Sequence, residues 1–153
     1  MDLKRVIQEN AAEIVKLHAR IHETYSQKGK SPASREAWKG ACEEFRRRYD
    51  LLAFPGGYDT AGPRILAGDE LAVEAALCFL EIRPYFFRSG YMYKVLLRRI
   101  KRVELSPVQA TRLRSIIERQ TEWRRTKVAR TSPNKPLTVG RPRTAARSLT
   151  ARR

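Results

Sequence analysis

His18 and His22 stand four residues apart, a spacing that puts two imidazoles on one helix face, as a metal site needs. Position 19 is Ala, so the pair is not the HExxH arrangement that sets a general base beside two zinc ligands. Glu23 and Cys42 are conceivable further ligands, but no Cys/His cluster supports them. The expectation is a solvated or half-buried helix edge with no metal. Cys42 and Cys78 are the only cysteines, and neither lies in a CxxC pair, which excludes a zinc ribbon or a thioredoxin-type centre. Both fall in apolar helical stretches and read as small buried hydrophobes in a reducing compartment. The glycine-rich stretch from Phe54 to Pro63 lacks the Gly-Lys-Ser/Thr ending of a phosphate-binding loop and follows no strand. It reads as a crossover between two helical hairpins, irregular as far as Gly68. No Ser-His-Asp, Cys-His or paired-carboxylate arrangement can be assembled from the motifs, so no enzyme and no cofactor is expected.

The chemistry that does stand out is cationic. The chain of 153 residues holds 32 Lys+Arg against 16 Asp+Glu, a formal net charge of +16. The excess is segregated. Residues 1–93 carry 14 basic and 13 acidic residues, residues 94–129 carry 11 and 3, and residues 130–153 carry 7 and none. A basic half joined to a balanced half is the footprint expected for a polyanionic partner. Lysines and arginines along a helix neutralise phosphates and release condensed counterions, whatever the base sequence. The candidate contacts are Lys94, Arg98, Lys101, Arg102, Arg112, Arg119, Arg124 and Arg125, with Arg141 and Arg143 from the carboxyl-terminal segment. Base-specific apparatus is not visible: there is no helix-turn-helix, RNA-binding signature or zinc finger.

These residues must be positioned by helices. Leu3, Val6, Ile7, Ile14, Leu17, Ile21 and Tyr25 mark one amphipathic helix over Asp2–Gln27. A second starts near Ser31, with Pro32 in its first turn, and carries Trp38, Cys42, Phe45, Tyr49 and Leu52 at steps of four, three, four and three. A third, capped by Asp69 and ended by Pro84, is apolar on nearly all sides and should be the most buried. Ser89 is expected to cap a fourth, reaching about Val103. Ser106, Pro107 and Gln109 form a capping box that opens a fifth, reaching about Val128, with Val108, Leu113, Ile116, Ile117, Gln120 and Trp123 facing inward. No alternating β-branched run competes. The fold class is therefore all-α: about five helices as two antiparallel hairpins plus a C-terminal helix, either an irregular bundle or a small HEAT-like stack.

Residues 130–153 contain no acidic or aromatic residue and three prolines, a composition that cannot offset its ordering entropy. The expected organisation is a helical domain over 1–129 and a disordered basic tail over 130–153. Within that tail, Gly140, Arg141, Pro142 and Arg143 resemble the core of an AT-hook. The resemblance covers four residues and implies an arginine entering the narrow minor groove of A·T-rich DNA; Thr138 and Val139 stand where the flanking basic run would be. Aromatics at Tyr85, Phe86, Phe87, Tyr91 and Tyr93 lie among Arg83, Arg88 and Lys94, a mixture that can stack single-stranded bases or simply pack a hairpin turn.

The most apolar stretch, Leu71–Ile82, is twelve residues long and holds Glu74 and Glu81, so no membrane span is expected. With no charged-then-apolar leader, a cytoplasmic location is expected. Together these features point to a non-enzymatic helical module that binds DNA or RNA without strong sequence specificity. An adaptor that docks an acidic protein is the alternative.

Overall fold

The structure, a computed structural model, describes residues 1–131. Six helices form and, among the described residues, no strand: α1 (Leu3–Gln27), α2 (Pro32–Ala53), α3 (Ala61–Leu66), α4 (Glu70–Ile82), α5 (Ser89–Ile100) and α6 (Pro107–Thr131). The all-α class is therefore established. No helix among the described residues is long and apolar enough to cross a membrane. The chain divides into two units at Ile117–Glu118; of the expected disordered tail over 130–153, Arg130 and Thr131 are instead the last residues of α6, and residues 132–153 lie outside the described residues.

In the unit of residues 1–117, local chemistry sets most helix starts. The Asp2 carboxylate accepts from Arg5 N–H and caps α1. Ser31 Oγ accepts from Ser34 N–H at 3.0 Å, with Pro32 in the first turn of α2, and Asp69 accepts from Ala72 N–H at 2.9 Å to open α4. Ser106 Oγ accepts from Gln109 N–H at 3.2 Å while Gln109 Oε1 accepts from Ser106 N–H at 3.1 Å, a reciprocal capping box. Ser106→Ala should destabilise the protein by about 1 kcal/mol, read by chemical denaturation.

α1 and α2 pair as a hairpin, and α4 packs against α1, α3 and α5. Eight of the thirteen α4 residues are buried, including Leu77, Phe79 and Leu80, so α4 is the centre of the core as its composition predicts. Ile7, Ala11 and Ile14 join the same core from α1, Met92, Leu96 and Ile100 from α5, and Ile116 from α6.

Four expectations are corrected. The stretch from Phe54 to Gly68 is not wholly irregular, because α3 forms within it. Pro63 is tolerated in the first turn, where no N–H is needed, and burial of Ala61 and Ile65 holds the short helix in place. Ser89 is the first residue of α5 and not its cap: the cap position is Arg88, in the left-handed region at φ 67°, and Ser89 Oγ accepts from Phe86 N–H. α5 ends at Ile100 and α6 runs on to Thr131, against Val103 and Val128 expected. Finally, Val108 and Trp123 are exposed, whereas Ile116 is buried and Leu113 and Ile117 pack on the core.

Candidate nucleic-acid interface

The solvent face of α5 is built by its periodicity. Met92, Tyr93, Leu96, Leu97 and Ile100 turn inward, which leaves Tyr91, Lys94 and Arg98 exposed, with Lys101 and Arg102 exposed just after the last turn. At roughly 100° per residue Lys94 and Arg98 lie about 40° apart on α5, and with Lys101 and Arg102 from the turn that closes the helix they form one cationic stripe. No carboxylate stands on α5. Among the described residues no ion pair involves Lys94, Arg98, Lys101 or Arg102, so the α5 stripe is not neutralised from within. Arg98 and Arg99 also lie in the last turn of α5, where cations complement the helix dipole. Arg99 is half-buried, with its guanidinium against Gly62.

Arg112 departs from this stripe. Its Nε donates to Glu81 and its Nη1 to Glu74, each at 2.5 Å, and its Nη2 lies 3.6 Å from Cys78 Sγ. Lys4 Nζ holds the other oxygen of Glu81 at 2.6 Å. Two cations and two carboxylates thus tie α1, α4 and the start of α6 together, and the Arg112 charge is spent inside the fold. Arg114, which the sequence reading passed over, lies roughly 200° around the helix and is exposed. Its signal was present in its offset from the inward Leu113, Ile116 and Ile117.

In the unit beginning at Glu118, Arg119, Arg124 and Arg125 are all exposed. Their spacing of five and one spreads them around the helix, so they make no stripe of their own. Glu118 and Glu122 are interspersed with them. Lys127 Nζ sits 4.9 Å from the Trp123 ring centroid. Arg141 and Arg143, with the AT-hook-like core, lie outside the described residues.

The other chemical candidates resolve into packing. His18 stacks on Phe87 with ring centroids 5.0 Å apart and meets His22 edge-on at 4.7 Å. No group of three or more His, Cys, Asp or Glu that could hold a metal ion occurs among the described residues. Cys78 is buried and Cys42 half-buried, and burial pushes the Cys78 thiol up, away from thiolate chemistry. The glycine-rich loop turns its carbonyls, not its N–H groups, toward a charge: Arg64 Nη2 donates to Pro55 O at 3.1 Å and Gly57 O at 2.9 Å. Gly56 and Gly57 have φ of 80° and 97°, and a Cβ on either would meet Arg64 or Asp50 at 2.7 Å. Such a loop houses a cation and offers nothing to a phosphate.

No protein-family model matches the chain, and no curated protein or solved structure matches it either.

Proposed function

We propose that this protein is a non-enzymatic module that binds nucleic acid through its phosphates, without strong sequence preference. The observation that carries the reading is the stripe of Lys94, Arg98, Lys101 and Arg102, all exposed, on and just after a helix that holds no carboxylate, and none of them ion-paired among the described residues. Arg5, Arg20 and Arg48 of α1 and α2 are ion-paired and residues 1–93 as a whole are nearly balanced in charge, so the excess positive charge begins with α5. Arg114 from the same unit and Arg119, Arg124 and Arg125 from the following one are additional exposed cations. Arg141 and Arg143 join the reading on sequence alone. Arg112 does not, because its charge is already matched.

The deciding measurement is binding of the full chain to a labelled oligonucleotide as a function of salt. Affinity should fall steeply between about 50 and 200 mM salt, and four phosphate contacts from the stripe should contribute roughly −3 to −4 to the log–log slope. No binding at the lower salt removes the reading. Polyglutamate at equal charge is the control for an acidic protein partner. It should compete weakly, and competition as strong as by the oligonucleotide would favour an acidic protein surface instead.

A further inference from the structure

The turn between α4 and α5 carries the most unusual backbone among the described residues. Arg83 and Arg88 bracket it, and they are the only non-glycine residues at positive φ among those described, at 47° and 67°. Glycine would adopt these conformations without the steric cost that an L side chain bears. The segment between them is nevertheless rigidly held. Phe86 is buried edge-on against Phe79 and Tyr49, its N–H donates to Ser89 Oγ at 3.0 Å, and Tyr49 Oη donates to Phe87 O at 2.6 Å.

This scaffold presents aromatic faces to solvent. Tyr85 is 89% exposed and Phe87 44%. No ring among the described residues packs on Tyr85, whereas Phe87 stacks on His18, meets Phe45 and Tyr49 edge to face, and has the Arg88 guanidinium 5.4 Å from its centroid. The two line a cleft of about 680 Å³ together with His18, Arg83, Arg88 and Tyr93, and no carboxylate among the described residues lines it. That volume suits a nucleotide-sized group. Gly90, at the rim of the cleft, is followed at once by Tyr91 and the cationic stripe of α5.

We propose that this cleft is a base-stacking site for single-stranded nucleic acid, with Tyr85 supplying the open ring face, the packed Phe87 an aromatic wall and Arg88 a flanking cation. The proposal rests on the nucleic-acid reading above and deepens it. A duplex keeps its base faces stacked internally, so only a single strand can use these rings, and each stacked base adds affinity that is tolerant of sequence. Arginine stands at position 88 where glycine would relieve the backbone, which is reasonable where the guanidinium itself is the working group.

The test compares a short poly-dT oligonucleotide with a duplex of equal length, using wild type, Tyr85→Ala, Tyr85→Phe and Arg88→Gly. Tyr85→Ala should leave the melting temperature unchanged, since the side chain is exposed, and lower poly-dT affinity roughly tenfold without touching duplex affinity. Tyr85→Phe should restore it. The wild-type to Tyr85→Ala ratio should stay constant as salt rises, because stacking releases no counterions. Arg88→Gly should weaken poly-dT binding severalfold while the melting temperature rises. Poly-dT binding unchanged in both Tyr85→Ala and Arg88→Gly overturns the cleft while leaving the phosphate reading in place. Equal losses on single strand and duplex also overturn it. Failure of the wild type to bind either oligonucleotide removes both.

Discussion

Arg112→Met should cost the protein about 2–3 kcal/mol, a fall in melting temperature of roughly 10 °C for a chain of this size. The guanidinium is 26% exposed and its two partners, Glu74 and Glu81, are 38% and 15% exposed. The site therefore sits between a screened surface pair and a dry one, and the expected loss is below that of a fully buried pair. Removal strands two carboxylates at the α4 surface, with only Lys4 left to answer Glu81. The pH dependence should report the same loss. Burial pushes the Glu81 carboxyl up, but hydrogen bonds from Lys4 and Arg112 outweigh it and hold the group below its ordinary value of 4.5. A carboxyl depressed in the folded state stabilises above its unfolded value, and that stabilisation is lost as pH falls through the folded one. Wild type and Arg112→Met should thus differ most at neutral pH, begin to converge as pH falls below the ordinary carboxyl value of 4.5, and coincide only below the depressed folded-state value. Urea denaturation at several pH values measures this, and coincident curves at pH 7 would show that the cluster contributes nothing. Oligonucleotide affinity and its salt slope should be unaffected, because that positive charge is already answered within the cluster.

The contrast between Arg112 and the α5 stripe shows what a sequence can and cannot disclose. Lys94, Arg98, Lys101 and Arg102 are legible because helical periodicity alone sets them opposite Met92, Leu96 and Ile100. Arg112 is fixed by Glu74 and Glu81, more than thirty residues earlier in the chain, and no local pattern names such partners. One hint was available: Arg112 precedes the buried Ile116 by four residues, and so shares its inward side. Caps divide along the same line. Asp2, Ser31, Asp69 and Ser106 bond to N–H groups three residues ahead, and a window of four residues contains the whole interaction. Ser89 bonds backward to Phe86 N–H across a turn closed by a left-handed arginine, a conformation no propensity favours. α3 was hidden for a similar reason. Gly62 and Pro63 argue against a helix locally, and burial of Ala61 and Ile65 in the tertiary core decides otherwise. The exposure of Tyr85 beside a buried Phe86 is likewise a product of that turn, not of spacing.

Neutralising Lys94, Arg98, Lys101 and Arg102 together with glutamine should lower oligonucleotide affinity on the order of a hundredfold at about 50 mM salt. The salt slope should flatten by roughly 3 to 4, since four phosphates would no longer release their counterions. Glutamine is the appropriate replacement. Glutamate would set carboxylates at the negative end of the α5 dipole and destabilise the helix by about 0.3–1 kcal/mol each, confusing a binding defect with a folding one. Even glutamine forfeits part of the favourable dipole interaction, so a small drop in melting temperature is expected without loss of helicity. The decisive control removes the same number of charges elsewhere. Lys16, Arg35, Arg46 and Arg47 are exposed on α1 and α2, and replacing them with glutamine lowers net charge equally while leaving the stripe intact. Long-range attraction depends on total charge and should fall similarly in both variants, appearing as a slower association rate. Contact with phosphate depends on position, and should disappear only where the stripe is neutralised, as a faster dissociation rate and a flattened slope. Equal slopes for the two variants would mean that binding follows bulk charge and that α5 is no interface. A slope lost only in the stripe variant would assign the phosphate contacts to α5, at the place where periodicity exposes the cations and no carboxylate of the same helix answers them.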